Sequence, residues 1–470
     1  MTKQWKLLLS TAIPILVLFL PASFFPLTIS VIEQRVMAIF LLGCFFWILE
    51  PIPVYATSVL IIVLELFMIS DQSFSFLRGA KDDPTFGTAL KYTDIMSTFS
   101  HPIILLFLGG FFLAMATTKY RLDINLTRII LKPFGSNPKL ILLGLMIITG
   151  VFSMFMSNTA CTAMMFAILA PVLKSLDEND RGRIAFILAI PFAANIGGIG
   201  TPIGTPPNAI ALRYLTGEQS ITFAKWMAFG VPYVIVVLAF SWLLLLILFP
   251  TKSPKIQVNI EGKFLTHWKA ITTYVTFGGT IFLWMIGEFF DINSYVVAMI
   301  PVAVFSATQV INKEDLKTIS WDVLWLVAGG FALGLALEKS GLSANVIQSI
   351  PFATFSPIFI VLLCAGICFL MSDFMSHTAA TNLLLPIVAA LGSSLPSLES
   401  YGGRTMLILA AAMTSSVAMI LPISTPPNAI AYASGMIQTK HMSMAGLIIG
   451  LVGILALFLL MFILKTVHFF

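Results

Sequence analysis

The chain is mostly apolar from Leu7 to Phe25 and again from Val234 to Phe249, and runs of the same character recur along its length. A helix needs about 20 apolar residues to cross the hydrocarbon of a bilayer. The runs predict spans at approximately 8–29, 36–49, 54–70, 102–118, 226–250, 270–290, 295–311, 321–337 and 443–464. Four further apolar segments carry polar interruptions. Segments 139–175 and 356–396 are broken at Ser-Asn-Thr and Ser-His-Thr, and segments 184–212 and 404–436 at Thr-Pro-Pro-Asn. The first pair reads as re-entrant hairpins that turn at their polar tips, with new helices beginning at Ala160 and Ala379. The second pair reads as broken helices, because two consecutive prolines remove two backbone donors and forbid a continuous helix. Strand-like alternation is absent, so helices rather than a barrel satisfy the backbone. Segment 119–138, with Lys119, Arg121, Arg128 and Lys132, reads as an amphipathic helix on the inner surface.

The interruptions come in twins. FMSNTACTAMM at Phe155 is answered by FMSHTAATNLL at Phe374, and IGTPPNAIA at Ile203 by ISTPPNAIA at Ile423. LFLGGFFLAMATTK at Leu106 resembles WLVAGGFALGLALEK at Trp325, so Gly109–Gly110 and Gly329–Gly330 correspond. All three pairs share an offset of 219 or 220 residues, which marks an internal duplication of roughly 40–250 and 270–467. The first half carries a polar insert of about 20 residues around Asp71–Asp94 that the second lacks. The paired glycines are read as sites of close helix packing.

Lysine and arginine favour the cytoplasmic side. With the N-terminus inside and each hairpin returning to its own side, 17 of the 26 Lys and Arg fall inside. The first hairpin then enters from inside and the second from outside, so the halves are inverted repeats. That architecture predicts alternating access around a site near the midplane. All four interruptions are expected to converge there. Released carbonyls suit a hard cation such as sodium; free N–H groups and the positive ends of new helices suit an anion. Ser157, Asn158, Thr159, Thr205, Asn208, Ser376, Thr378, Thr425 and Asn428 add neutral donors and acceptors, and no arginine lies in the four polar loops.

Composition agrees with a membrane location. Of 470 residues, 58% are hydrophobic and 10% charged, against about 25% charged in a soluble domain, and the mean hydropathy is +0.98. The first run, flanked by Lys3 and Lys6, resembles a signal peptide, but its length, the lack of a clear cleavage site and the many later spans favour a retained span. The net charge of +5 is spread over loops, and no nucleic-acid partner is expected. Cys44, Cys161, Cys364 and Cys368 lie in apolar context, and the CxxxC spacing of the last pair suggests neither a disulfide framework nor a zinc site. An intramembrane enzyme would need an acid/base or nucleophile set. Of the five histidines, only His377, with Asp373, sits in an interrupted segment, and the twin Ser157 has no histidine. A channel would show a ring of pore residues repeated across subunits rather than a duplicated hairpin.

The paired motifs, together with WILEPIPVYATSVL at Trp47, resemble the divalent anion/sodium symporter family over most of the chain. The resemblance implies an all-α polytopic membrane protein with about 11 transmembrane helices plus two re-entrant hairpins in two inverted repeats. It implies a homodimeric elevator carrier of di- and tricarboxylates such as succinate, malate, fumarate, 2-oxoglutarate or citrate, in the plasma or inner membrane. Scaffold segments would be 1–138 and 251–355, and transport-domain segments 139–250 and 356–470. No organic cofactor is implied, with sodium as the possible coupling ion. The positions matching the family's first sodium site are Ser153, Ser157, Asn158 and Gly204. Those matching the second are Ser372, Met375, His377 and Ser424. Substrate carboxylates would meet Asn158, Thr159, Thr205 and Pro206 on one side, and Ser376, His377, Thr378, Thr425 and Pro426 on the other.

His377 stands where the family pattern has Asn. Imidazole offers no oxygen to sodium but is a good donor to a carboxylate. Asp373, four residues earlier, shares its helical face if the arm stays helical, and a nearby carboxylate favours the charged imidazolium. The other reading is that His377 merely caps the hairpin tip. The departure favours dicarboxylate exchange, since a carrier that cannot neutralise its empty site returns only when loaded. Sodium-coupled symport is the alternative.

Overall fold

A computed structural model of the chain describes residues 2–21, 24–25, 27–79, 85–256, 262–467 and 469. Residues 80–84 of the polar insert lie outside the described residues. The described residues form helices and no strand, with one isolated bridge between Ser70 and Leu90. Seven helices among them are long and apolar enough to cross a membrane: Val31–Leu49, Tyr92–Lys119, Phe223–Leu248, Trp268–Phe290, Trp321–Ser340, Pro357–Phe374 and Thr439–Thr466. Shorter apolar helices occupy Val54–Met68, Pro138–Ser153, Asn158–Lys174, Gly182–Gly198 and Ser294–Ala307. The amphipathic segment is helical over Leu122–Leu131, with Arg121 in the left-handed region just before it.

The chain divides into two compact units. The first comprises Met1–Ile104 and Ser320–Ala412. Its core packs Trp47, Ile61, Leu333 and Leu383. The helix Val31–Leu49 opens with a capping box between Ser30 and Glu33, and the Glu33 carboxylate also accepts from the Asn345 amide. Gly329 and Gly330 permit close helix contact here: a Cβ on Gly329 would lie 2.3 Å from Ser58 Cβ, and one on Gly330 2.0 Å from Asn382 Oδ1.

The second unit comprises Leu105–Ile319 and Met413–Phe469. Here a Cβ on Gly109 would lie 2.3 Å from the Ala298 carbonyl oxygen. Gly109 and Gly329 are 220 residues apart, whereas their partners Ser58 and Ala298 are 240 apart, and the difference matches the insert of about 20 residues. The duplication therefore extends to packing contacts. A second sign is the hydrogen bond from Tyr233 Oη to the Gly453 carbonyl at 3.0 Å, which joins the helices Phe223–Leu248 and Thr439–Thr466. Those two residues are each other's equivalents at the offset of 220.

A carboxylate outside the spanning helices ties two connections of this unit together. Asp180 is buried between the end of the helix Asn158–Lys174 and the start of Gly182–Gly198. Its Oδ1 accepts from the Gly182 N–H at 2.8 Å. Its Oδ2 accepts from Thr251 Oγ1 at 2.9 Å, Ser253 Oγ at 3.0 Å, and the N–H groups of Lys252 and Ser253 at 3.1 and 3.2 Å. Burial pushes this carboxyl up, but the hydrogen bonds outweigh it and hold it below its ordinary value. Removing the charge in Asp180→Asn should cost about 1 kcal/mol after allowance for solvent screening. A carboxyl lowered on folding contributes stability above its unfolded value near 4 and loses it as pH falls through the folded value. Thermal unfolding in detergent should show wild type above the variant by a constant margin from pH 8 to about pH 5, with the gap closing below about pH 4.

Candidate functional site

The two hairpins turn at their polar tips. Pro138–Ser153 and Asn158–Lys174 form the first, Pro357–Phe374 and His377–Ser394 the second. The returning helices begin two residues earlier than Ala160 and Ala379, and the reason is capping. Ser157 Oγ accepts from the Ala160 N–H and Ser376 Oγ from the Ala379 N–H, both at 3.2 Å. Asn158 and His377 thereby become the first helical residues of their arms. The shared helical face proposed for Asp373 and His377 does not exist: the outgoing helix stops at Phe374, and Met375 is extended at φ −132°, ψ 174°.

In the broken segments, Gly182–Gly198 is followed by Pro206–Tyr214, and Gly403–Ser416 by Pro426–Ala433. The two asparagines of the Thr-Pro-Pro-Asn loops were expected to offer their amides to a ligand. Instead they hold the breaks closed. Asn208 Nδ2 donates to the carbonyls of Gly198, Ile199 and Thr201 at 3.1, 3.2 and 2.8 Å. Asn428 Nδ2 donates to those of Met419 and Leu421 at 3.2 and 3.1 Å. These repeat the Asn208 bonds to Ile199 and Thr201 at the offset of 220. Trp226 Nε1 also donates to the Ile199 carbonyl at 2.9 Å. Carbonyls released by the break are thus largely consumed inside the protein, where an unpartnered one is costly.

The oxygens that remain gather at one point in the second unit. Ser153 Oγ donates to Asn158 Oδ1 at 2.6 Å. Around the missing side chain of Gly198, a Cβ would lie 2.6 Å from Asn158 Oδ1 and 2.9 Å from the Gly204 carbonyl oxygen. Gly204 in turn packs on Gly198, where a Cβ would meet the Gly198 carbonyl oxygen at 2.4 Å. Two glycines therefore let the hairpin tip and the loop approach until a side-chain oxygen and a backbone oxygen both border the gap left by the missing Gly198 side chain. Among the described residues no group of three or more His, Cys, Asp or Glu converges. Any cation at this gap would be held by neutral oxygens, which suits a hard monovalent ion.

Thr205 is buried and does not cap its helix. Pro206 is half-buried, Ser157 and Asn158 are half-buried, and Thr159 is exposed. Thr425 is buried and accepts from the Asn428 N–H at 3.2 Å; Pro426 is exposed. Ser424 is buried, and its hydroxyl donates to the Leu421 carbonyl at 2.9 Å. The remaining sequence-predicted residues belong to the first unit. Ser372 is fully buried and its Oγ has no hydrogen-bond partner among the described residues. Met375 and His377 are buried, and Ser376 and Thr378 half-buried. The His377 carbonyl accepts from Thr381 Oγ1 at 2.7 Å.

Three residues escaped the sequence reading. Thr201 donates to the Met154 carbonyl and accepts from the Gly204 N–H, which pins the first hairpin tip to the first loop. Trp226 closes the break from a neighbouring helix. Asn195 crosses from the first broken helix to the second loop, donating to Thr425 Oγ1 at 3.1 Å and to Asn428 Oδ1 at 3.2 Å.

A membrane protein with duplicated, internally stitched helix breaks is matched over residues 1–467 by the family model described as the sodium:sulfate symporter transmembrane region. The chain belongs to that family. It is a multi-pass membrane transporter rather than an enzyme. It is 31% identical over 468 residues to the sodium-dependent dicarboxylate transporter SdcS of Staphylococcus saprophyticus, covering 91% of this chain and 85% of that one. It is 32% identical over 473 residues to SdcS of Staphylococcus aureus, with the same coverage. The crystal structure of the YdaH transporter from Alcanivorax borkumensis shares the fold at a TM-score of 0.58 and 13% identity, covering 89% of this chain and 99% of that one.

Replacing the stitching amides should be felt as instability before anything else. Asn208→Leu takes the amide from three buried carbonyls, leaving that of Gly198 without a donor while that of Ile199 keeps only Trp226 Nε1 and that of Thr201 only the Gly204 N–H, and should cost about 2 to 3 kcal/mol. Thermal unfolding of the purified protein should show a lowered midpoint, with a comparable loss for Asn428→Leu.

Proposed function

We propose that the protein is a sodium-coupled secondary transporter of C4 and C5 dicarboxylates, the class of succinate, malate, fumarate and 2-oxoglutarate. The observation that carries this reading is the approach of Asn158 Oδ1 and the Gly204 carbonyl around Gly198, with Ser153 on the same amide oxygen. Neutral oxygens brought together by paired glycines match the ligand preference of a hard cation. They coincide with the positions that the family resemblance assigns to sodium. The names of the SdcS relatives support both the ion and the substrate class. On this reading Ser153, Ser157, Asn158 and Gly204 bind sodium, and Asn158, Thr159, Thr205, Pro206, Ser376, Thr378, Thr425 and Pro426 meet substrate. Binding the cation first places positive charge where a carboxylate must follow, so empty and doubly loaded carriers are the mobile forms.

The wider proposal is an elevator carrier: about 11 spans and two hairpins in inverted repeats, a homodimer in the plasma or inner membrane with a cytoplasmic N-terminus. Segments 1–138 and 251–355 act as scaffold, and 139–250 and 356–470 as transport domain. Dicarboxylate exchange is kept as a second reading on account of His377. Its imidazole gives sodium no oxygen at the position that the family resemblance assigns to a second cation ligand, and is instead suited to donate to a carboxylate.

Proteoliposome uptake of labelled succinate, with external sodium and internal dicarboxylate varied independently, separates the two. Sodium coupling expects concentrative uptake into empty vesicles that collapses without sodium. Exchange expects uptake that requires internal dicarboxylate and ignores sodium. His377→Asn should steepen the dependence of uptake on sodium, because it restores an oxygen ligand. Gly198→Ala should raise the sodium concentration for half-maximal uptake at least about tenfold, since its methyl group would overlap Asn158 Oδ1 and the Gly204 oxygen. An unchanged sodium response in Gly198→Ala would remove the first-site assignment.

A further inference from the structure

The two Thr-Pro-Pro-Asn loops are written with the same letters, yet their threonines sit in different hydrogen-bonding surroundings. A threonine hydroxyl has one hydrogen to give and two lone pairs that accept. Both lone pairs of Thr425 are occupied: it accepts from Asn195 Nδ2 at 3.1 Å and from the Asn428 N–H at 3.2 Å. The direction of the first bond follows from the network. Asn428 spends its amide hydrogens on the carbonyls of Met419 and Leu421, so its Oδ1 is an acceptor. Asn195 must therefore present Nδ2 to it, at 3.2 Å, and the same NH₂ carries its second hydrogen to Thr425. What remains to Thr425 is its O–H, which can only donate. Pro426 and Pro427 have no N–H, so no backbone donor competes with it at those two positions of the helix start.

The first loop lacks this device. The residue 220 positions beyond Asn195 is Ser415, whose buried hydroxyl has no hydrogen-bond partner among the described residues. Thr205 does not cap its helix either, so its lone pairs are not committed in that way. We infer that Asn195 is a positioning residue that fixes the Thr425 hydroxyl as a donor and so makes this hydroxyl selective for a carboxylate and unfit as a ligand to a cation. The first loop stays able to accept. The inference rests on the reading above in which Thr425 meets the substrate. It adds the residue that sets the polarity of that contact.

The test uses full-length protein in proteoliposomes, with succinate as the probe at saturating sodium. Asn195→Asp replaces the donor with an acceptor, which draws the Thr425 hydrogen toward itself. The KM for succinate should rise at least about tenfold, while the sodium concentration for half-maximal uptake stays within about twofold. Asn195→Ala leaves the hydroxyl free to turn and should raise KM only about threefold. In a Thr425→Val background neither substitution should raise KM further, because the group they act on is gone. A merely structural Asn195 would instead make alanine the worse variant, move both constants, and add its effect to that of Thr425→Val. Equal KM values for wild type and Asn195→Asp, or additive effects with Thr425→Val, overturn the inference alone. If Asn195→Asp fails to assemble, the alanine variant and its coupling to Thr425→Val decide the matter by the same criterion. Absence of saturable succinate uptake by the wild type overturns the transport reading, and this inference with it.

Discussion

A helix interrupted in a dry interior must find partners for the carbonyls it releases, and the architecture of the second unit follows from how it does so. In each half the answer is an asparagine three residues beyond a threonine and just after two prolines. The prolines start a new helix without wasting donors. The asparagine turns its amide back onto the helix end that the chain has just left. Stitched in this way, the loop has little freedom, and oxygens not used in the stitch are held where they stand. Asn158 Oδ1 and the Gly204 carbonyl owe their proximity to that rigidity as much as to the glycines between them. A site assembled before its ligand arrives loses less entropy on binding.

Close approach of backbones is the second condition. Lipid offers no hydrophobic force to press helices together, so packing depends on shape. Gly197 against Gly150, Gly109 against Ala298 and Gly329 against Ser58 each bring two main chains nearer than any side chain allows. The first of these crossings sets the helix Pro138–Ser153 on Gly182–Gly198, and thereby aims the hairpin tip at the loop.

Much of this was legible in the sequence, for reasons that differ by feature. Apolar runs and double prolines announce spans and breaks directly, and the serines before Asn158 and His377 are capping residues whose pull on the helix start was underestimated by two positions. Repetition proved less informative about role than about symmetry. Asn208 and Asn428 recur because both halves need the same stitch, and their recurrence was read as a ligand site. Asn195 lay beyond reach because its partners are about 230 positions away, and a lone asparagine in AANIGG has no local signal. The same holds for Trp226, whose indole closes a gap in another element. Local rules describe what a segment does for itself; they are silent on what it does for a stranger.

The hydrogen bond between Tyr233 and Gly453 has an implication for ancestry. Two residues that correspond under the duplication and also touch mark a place where equivalent positions of the two halves meet. Two identical copies of one sequence would present the same residue twice at such a place. Two tyrosines would collide there and two glycines would leave a void. Carried in one chain, the two copies are free to differ, and here one side presents an aromatic ring while the other has no side chain and receives it.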